Sequence, residues 1–578
     1  MMKKIQVLMV LVLIISAVAL AGCSGDEEDG ETGKVPASER SETMELLAMV
    51  PENAQFVFQL ESLEKFYGQF AVPQNAIMGV ALKEKYLERI KTALGFNPLN
   101  VEEVRQTGLN LEKPFCLAGT NMRINPEDKQ GIAFDVLGLL PVSDGAHALE
   151  TIRSAFRKNN IVFVGTEKDG VSFIKWRSRE EKGCLAVKEQ YLYMAINSQK
   201  DSQVFLQSVI ENKSSLTNAK AFRDVASETD LTGGLLFYVN IADMVEANSN
   251  QLRQAVHGRS AQAADTLESL RQYSSAAVTV DLDSPDLAVN STAALVDDHE
   301  MKKLWGEDFV NRQKLLRIPE PAALLLSFGA DIKGYYEMIN TMTPPKQEKS
   351  IKTRVEAVKE ETGIDVETEL LDNLSGSINL GVYDGASITI LNYNALFTAG
   401  IRDENLMEQV IDKAIKLLPP NKQAMISRQK VGGTNAYVVN PGIIQMYAGI
   451  DDNKVVLASG KPIFEKALKA EKDKGFAQKL TDERLKDCLM SKQNMFYLNI
   501  DEGVKTANNL AMFLAEPAGG VQKFKDKLDA AGRFEYVLAS SKLAENTITS
   551  RFIVKTRFSK PFFRELAHMI DEFQPEAN

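Results

Sequence analysis

The sequence predicts an α+β fold made of two tandem related copies, each a mainly antiparallel sheet with helices packed on one face. Three observations lead to it. An opening repeats: Val50-Pro51-Glu52-Asn53-Ala54 precedes the apolar run Phe56 to Leu60, and Ile318-Pro319-Glu320-Pro321-Ala322 precedes Leu324 to Phe328. Two later landmarks recur at one spacing: Asp144 stands 93 positions before Phe237-Tyr238-Val239-Asn240-Ile241, and Asp403 stands 93 before Phe496-Tyr497-Leu498-Asn499-Ile500. Such self-similarity marks repeated structural units. Finally, strand-like runs follow one another across short turns such as Lys168-Asp169-Gly170, and short turns join antiparallel neighbours whereas parallel strands need a long crossover.

Taken in order, residues 24–43 are polar and lack apolar periodicity, so they cannot offset the entropy of ordering and are expected to form a tether. Met44 to Met49 reads as a short helix stopped by Pro51. Phe56 to Leu60 forms a strand that leads into a helix containing Leu63, Phe66 and Tyr67. Asp144 suits the N-cap of an amphipathic helix with Leu149, Ile152 and Phe156. Strands follow at Ile161 to Gly165, Val171 to Trp176, Gly183 to Val187 and Tyr191 to Ile196, and Ser274 to Asp281 with Leu287 to Leu295 closes the copy.

The second copy repeats the order. A helix carries Ile332, Tyr335 and Tyr336; Asp403 begins another with Met407, Val410 and Ile411. Strands are expected at Met425 to Arg428, Ala436 to Val439, Ile444 to Ile450 and Lys454 to Ala458, with Arg533 to Leu538 and Thr547 to Val554 closing the copy. The expected organisation is residues 1–22 as a leader, 23–44 as a tether, 45–316 as the first copy and 317–578 as the second.

Composition narrows the partners. The formal charge is −11, and loss of residues 1–22, which hold two lysines and no acid, would take it to −13. Lys and Arg are scattered among the acids, so there is no basic face to displace counterions and nucleic acid is excluded as a partner. A hydrophobic content of 44% supplies apolar side chains for two ordinary cores. Besides Cys23 there are three cysteines, Cys116, Cys184 and Cys488, too few for a disulfide scaffold. Cys116 and Cys184 sit in apolar strand-like runs and read as buried thiols, with a bridge between them as the alternative.

The N-terminus carries an address. Lys3 and Lys4 precede an apolar run, Ile5 to Leu20, which ends at Leu20-Ala21-Gly22-Cys23; a spanning helix wants roughly 20 apolar residues, and a cleavable leader needs fewer. The segment resembles the lipobox of bacterial lipoproteins. That resemblance implies cleavage before Cys23, a thioether-linked diacylglycerol on its sulfur, and attachment to a membrane of the cell envelope. Ser24 in place of Asp implies the outer membrane, with the protein facing the periplasm or the surface. The Val-Pro-Glu-Asn-Ala opening, the Tyr193-Met194-Ala195 strand, Ser215-Leu216 ahead of Phe222, and the Phe-Tyr-x-Asn-Ile strand also resemble a bacterial envelope family catalogued as domain of unknown function 3352. This resemblance implies a location and a repeated α+β architecture, and no activity.

Motifs of catalysis are sparse. The four histidines, His147, His257, His299 and His568, do not stand at ligand spacing. Asp297-Asp298-His299-Glu300 reads as a charged helix start, and His147, in the place of Leu406, as a partly buried structural histidine. The apolar stripe around His568, with Phe562, Phe563, Leu566, Ile570 and Phe573, reads as core. Ser62-Leu63-Glu64-Lys65 has the Ser-x-x-Lys spacing of penicillin-interacting enzymes, but no Lys-Thr-Gly follows, so it reads as an exposed helix start. Asp451-Asp452 falls in a turn, and Ser459-Gly460-Lys461 in a strand-to-helix turn. Nucleophile-elbow, phosphate-loop and Rossmann glycine patterns are absent from the sequence. Trp176 and Trp305 are the only tryptophans, which argues against a sugar-stacking platform; Tyr238 and Tyr497 read as core, and Asn240 and Asn499 as helix caps.

The sequence therefore leads to a non-catalytic, lipid-anchored envelope protein with a binding, scaffolding or assembly role and no cofactor. Its expected partners are the membrane, through Cys23, and an envelope protein or a hydrophobic ligand. A carrier or chaperone for a hydrophobic ligand is the alternative, and a hydrolase without recognisable motif a further one.

Overall fold

Alternating apolar positions bounded by Gly, Asn and Asp turns give twenty strands among the described residues. The computed structural model describes residues 37–70, 91, 95–97, 100–124, 132–177, 182–196, 201–211, 214–231, 234–249, 270–297, 318–319, 322–329, 331–342, 345–383, 394–440, 445–470, 482–491, 494–505, 530–544 and 546–573. They divide into two units: residues 557–573 join the first, which otherwise ends at Asp297, and the second runs from Asp298 to Thr556. The expected break at 316/317 lies outside the described residues.

The first unit contains α1 (Ala37–Leu47), β1 (Phe56–Leu60), α2 (Leu63–Phe70), α3 (Val101–Arg105), β2 (Phe115–Ile124), β3 (Ile132–Pro141) and α4 (Gly145–Lys158). It continues with β4 (Val162–Lys168), β5 (Val171–Arg177), β6 (Lys182–Lys188), β7 (Tyr191–Ile196), α5 (Ser202–Glu211), α6 (Lys220–Ala226), β8 (Leu235–Asn240), α7 (Ile241–Ala247), β9 (Tyr273–Val280) and β10 (Leu287–Leu295). Its strands pair in the order β4-β5-β6-β7-β3-β2-β1-β8-β9-β10, every neighbour antiparallel.

Helices cover both faces of this sheet, where one was expected. Val57, Ala118, Leu137, Tyr193 and Tyr238 pack with Leu46 and Leu47 of α1, Leu206 of α5 and Phe222 of α6, while Ile174, Trp176 and Leu185 pack on the other side with Ala148 and Leu149 of α4. The cause is local: β5 and β6 carry apolar residues at successive positions, Phe173-Ile174 and Cys184-Leu185-Ala186, so each points hydrophobes both ways.

Two departures concern the ends of the chain. The helix α1 begins at Ala37, inside the stretch expected to be tether. Its stability comes from its last turns, where Leu46 and Leu47 are buried and Gln59 Nε2 donates to the buried Thr43 Oγ1 at 3.1 Å; the polar residues before them show no periodicity to read. At the other end, α13 (Phe562–Phe573) belongs to the first unit, although the sequence reading puts it in the second copy. Phe562 and Met569 are buried, α13 packs on α2, and Phe562 N donates to Ser284 O at 3.0 Å. The same 282–284 turn holds α2, through Gln69 Nε2 donating to Leu282 O and a 2.7 Å Lys65–Asp283 ion pair.

The second unit contains β11 (Leu324–Gly329), α8 (Ile332–Met342), α9 (Pro345–Thr362), a wide helical turn at Val366–Leu371, β12 (Leu374–Tyr383), β13 (Asn394–Ile401) and α10 (Glu404–Lys416). After these come β14 (Ile426–Val431), β15 (Thr434–Val439), β16 (Met446–Ile450), β17 (Lys454–Ala458), α11 (Lys461–Lys469), α12 (Glu483–Ser491), β18 (Asn494–Asn499), β19 (Phe534–Ala544) and β20 (Thr547–Thr556). The order is β14-β15-β16-β17-β13-β12-β11-β18-β19-β20, again antiparallel throughout. Leu325, Val438, Val456, Tyr497 and Leu538 pack with Ile463 and Phe464 of α11 and Leu485 of α12. Registers match as well as order: Phe58 stands opposite Leu117 and Phe237, and Leu326 opposite Leu380 and Phe496.

Caps fall where the sequence places them. Asp144 Oδ1 accepts from His147 N and Asp403 Oδ1 from Leu406 N, both at 3.0 Å. Asn240 Oδ1 accepts from Asp243 N and Asn499 Oδ1 from Glu502 N, both at 3.1 Å. Each of Asn240→Ala and Asn499→Ala is expected to cost about 0.5–2 kcal/mol, read from urea midpoints; an unchanged midpoint would show that the cap bond contributes nothing.

Candidate functional site

The Ser62 and Lys65 side chains are occupied structurally. Ser62 is buried, not exposed as expected; its Oγ donates to Leu111 O at 2.9 Å and accepts from Lys65 N at 3.2 Å, which makes it the cap of α2. Asp331 Oδ1 accepts from Gly334 N at the start of α8 in the same way. Partial burial disfavours the Lys65 ammonium, but Asp283 and Glu61, the latter at 2.8 Å, outweigh it and hold the amine above its ordinary range. An amine so held is a poor base for a neighbouring hydroxyl.

His147 is exposed, with Nε2 2.8 Å from Gln106 O, and not partly buried as the sequence suggested. His568 lies in α13, and the apolar stripe there puts Phe562 into the core. Asp451 and Asp452 form the β16–β17 turn, with Asp452 at φ 48°. Cys23, His257, His299 and Trp305 lie outside the described residues. Cys116 and Cys184 are free and buried, and Cys488 is buried; burial pushes the Cys184 thiol up to about 12 and raises that of Cys116, which removes the thiolate a nucleophile needs. Among the described residues no cluster of His, Cys, Asp and Glu could hold a metal ion, and no helix is long and apolar enough to cross a membrane.

A different feature stands out on the second unit. One cross-strand row runs through all ten strands, from Arg428 and Tyr437 through Ala448 and Leu457 to Phe397, Leu380 and Leu326, and on to Phe496, Ala539 and Phe552. Helix α10 lies over its first end: Tyr437 Oη donates to Asp412 Oδ1 at 2.8 Å, and Arg428 bonds the same carboxylate and lies 4.7 Å from the Tyr437 ring centroid. The guanidinium holds the Asp412 carboxyl below its ordinary range. Past β16 the row is apolar, with Leu457 40%, Phe496 37% and Phe552 37% exposed and Phe397, Leu380, Leu326 and Ala539 between them half-buried. Beside it runs a second apolar row, Leu324, Leu498, Val537 and Val554. The side chains of this apolar stretch offer no proton donor or acceptor.

Alternation in each strand signals one such residue at a time, Phe496 with Leu498 for instance. The row itself exists only once β11 lies beside β18, a pairing between segments far apart in the chain.

A family model described as a protein of unknown function (DUF3352) matches residues 111–541. No curated protein matches the chain. Among solved structures it is similar to crystal form I of TP0453, at 9% identity over 44% of this chain and 79% of that chain with a TM-score of 0.22. Crystal form III of TP0453 aligns at 11% identity over 44% and 80%, with a TM-score of 0.24. The family match spans most of the sequence and parts of both sheets, and the chain belongs to the DUF3352 family.

Proposed function

We propose that this protein is a non-catalytic, lipid-anchored protein of the bacterial cell envelope, two tandem copies of one α+β unit that bind or scaffold an envelope protein partner. The observation that carries the binding role is the exposed apolar row of the second unit, from Leu457 to Phe552. Its residues suit an apolar contact and lack the groups of acid–base chemistry. The reading as tandem copies draws on the coincident strand orders, the matching registers, and the paired Asp and Asn caps.

The anchor rests on the lipobox-like Leu20-Ala21-Gly22-Cys23. Acyl chains on Cys23, at about 0.8 kcal/mol per buried methylene, hold a protein more firmly when there are several than a single chain can. Ser24 favours the outer membrane, with a periplasmic or surface-facing body. A second reading, a carrier for a hydrophobic ligand, draws on the same row, because an apolar strip without ionisable groups also suits acyl chains.

Cys23→Ser is expected to move the protein from the membrane to the soluble fraction and to abolish labelling by a clickable fatty acid. Membrane retention without label would refute the lipid anchor. Capture from native envelopes, compared between the unaltered chain and Phe496→Asp at matched melting temperature, tests the binding role. Loss of a protein partner in the variant supports scaffolding, loss of copurifying lipid supports the carrier, and identical captures would refute the assigned surface.

A further inference from the structure

We propose that the free edge of β4 is a self-pairing surface through which two copies of this chain join their first-unit sheets, antiparallel about a two-fold axis at Gly165. This is separate from the apolar row and from the lipid anchor. Among the described residues β4 pairs only with β5, in unbroken register from Val162 opposite Arg177 to Lys168 opposite Val171. Its outer side therefore presents backbone N–H and C=O groups, a template for another strand. Val162 is 70% and Val164 58% exposed on one face of that edge, and the strand contains no proline or bulge to blunt it.

The second unit shows what a protected edge looks like in this fold. There β14 is outermost, and the matching row positions place Arg428, opposite Tyr437, where the first unit has Gly165, opposite Ile174. Arg428 is tied to Asp412, and Ser427 and Lys430 stand where β4 has Val164 and Glu167. Charged side chains on an edge are a usual guard against strand addition. The first unit lacks this guard in the middle of its edge.

A second copy suits this edge because β4 is complementary to itself. Read antiparallel about Gly165, Val164 faces Thr166 of the partner subunit, Val162 faces Lys168 of the partner subunit, and Phe163 faces Glu167 of the partner subunit. No like charges stand opposite one another, and Val–Thr is a favourable β-branched pair. The paired glycines at the axis carry no Cβ, and a two-fold contact is self-limiting, because each copy's β4 edge is used by the other.

The test is Gly165→Cys in the full chain, oxidised mildly in whole cells and run on a non-reducing gel. Paired residues in an antiparallel ladder have Cα atoms about 4.5–5.5 Å apart, within the span of about 4.4–6.8 Å that a disulfide bridges. A Cβ at Gly165 meets nothing within 4 Å, and Cys116, Cys184 and Cys488 are buried. A cross-linked dimer is expected from Gly165→Cys, none from Arg428→Cys on the guarded edge, and none when Val164→Lys is added to Gly165→Cys. Absence of the Gly165→Cys dimer would overturn the proposal, and so would an equal yield from Arg428→Cys or a dimer that survives Val164→Lys.

Discussion

A chain ending at Thr556 should lose stability in its first unit while the second keeps its own. The missing helix, α13, buries Phe562 and Met569, packs on α2 and donates from Phe562 N to Ser284 O. Full burial of two such side chains contributes of the order of 3–6 kcal/mol, a large part of the roughly 5–15 kcal/mol that holds a typical domain together. Hydrogen-exchange mass spectrometry separates the units by peptide: protection should fall in β1, β8 and β9 and persist in β11, β18 and β19. An equal fall in both units, or none in either, would remove α13 from the first unit. For the same reason a fragment cut at 316/317 would leave the first unit without its last helix.

Phe222→Ala is the second large effect. Phe222 is buried in α6 with its ring 5.2 Å from that of Tyr238, at 79° in an edge-to-face pair. Truncation removes that contact and leaves a cavity between helix and sheet, and aromatic deletions of this kind cost about 3–5 kcal/mol. The midpoint of the first unit in urea should drop accordingly. A loss below about 1 kcal/mol would mean that the site collapses and that α6 is not a main support of the core.

Local patterns carried much of the fold. Phe56–Leu60, Tyr191–Ile196, Leu287–Leu295 and Lys454–Ala458 form strands with the bounds read from the sequence, because alternation and flanking turns are properties of neighbouring residues. The caps at Asp144 and Asp403 were legible for the same reason. The last turn of α1 was legible at Met44 to Leu47, but its start at Ala37 was hidden, since what fixes the helix is Leu46 and Leu47 entering a core assembled by distant strands. The second helical layer, α4 over Ile174 and Leu185, was hidden too: apolar residues on both sides of a strand do not say what lies over them. The apolar row needed the β11–β18 pairing before its members could be seen as neighbours. Ser62 illustrates the limit for chemistry, because its spacing to Lys65 suits both a catalytic pair and a helix cap, and only the bonds to Leu111 O and Lys65 N distinguish them.

The position of α13 also sets a timetable. The 282–284 turn and α2 leave the ribosome long before Phe562 does, and synthesis at about 5–20 residues per second puts on the order of ten to fifty seconds between the end of β10 and the arrival of the helix that packs there. Closing so long a loop costs little more free energy than closing a shorter one, since the entropy grows only logarithmically with length. The delay is kinetic. Through it, the surface that receives Phe562 and Met569 stays uncovered, and a nascent-chain chaperone has its longest opportunity on the amino-terminal unit, which is begun first and finished last.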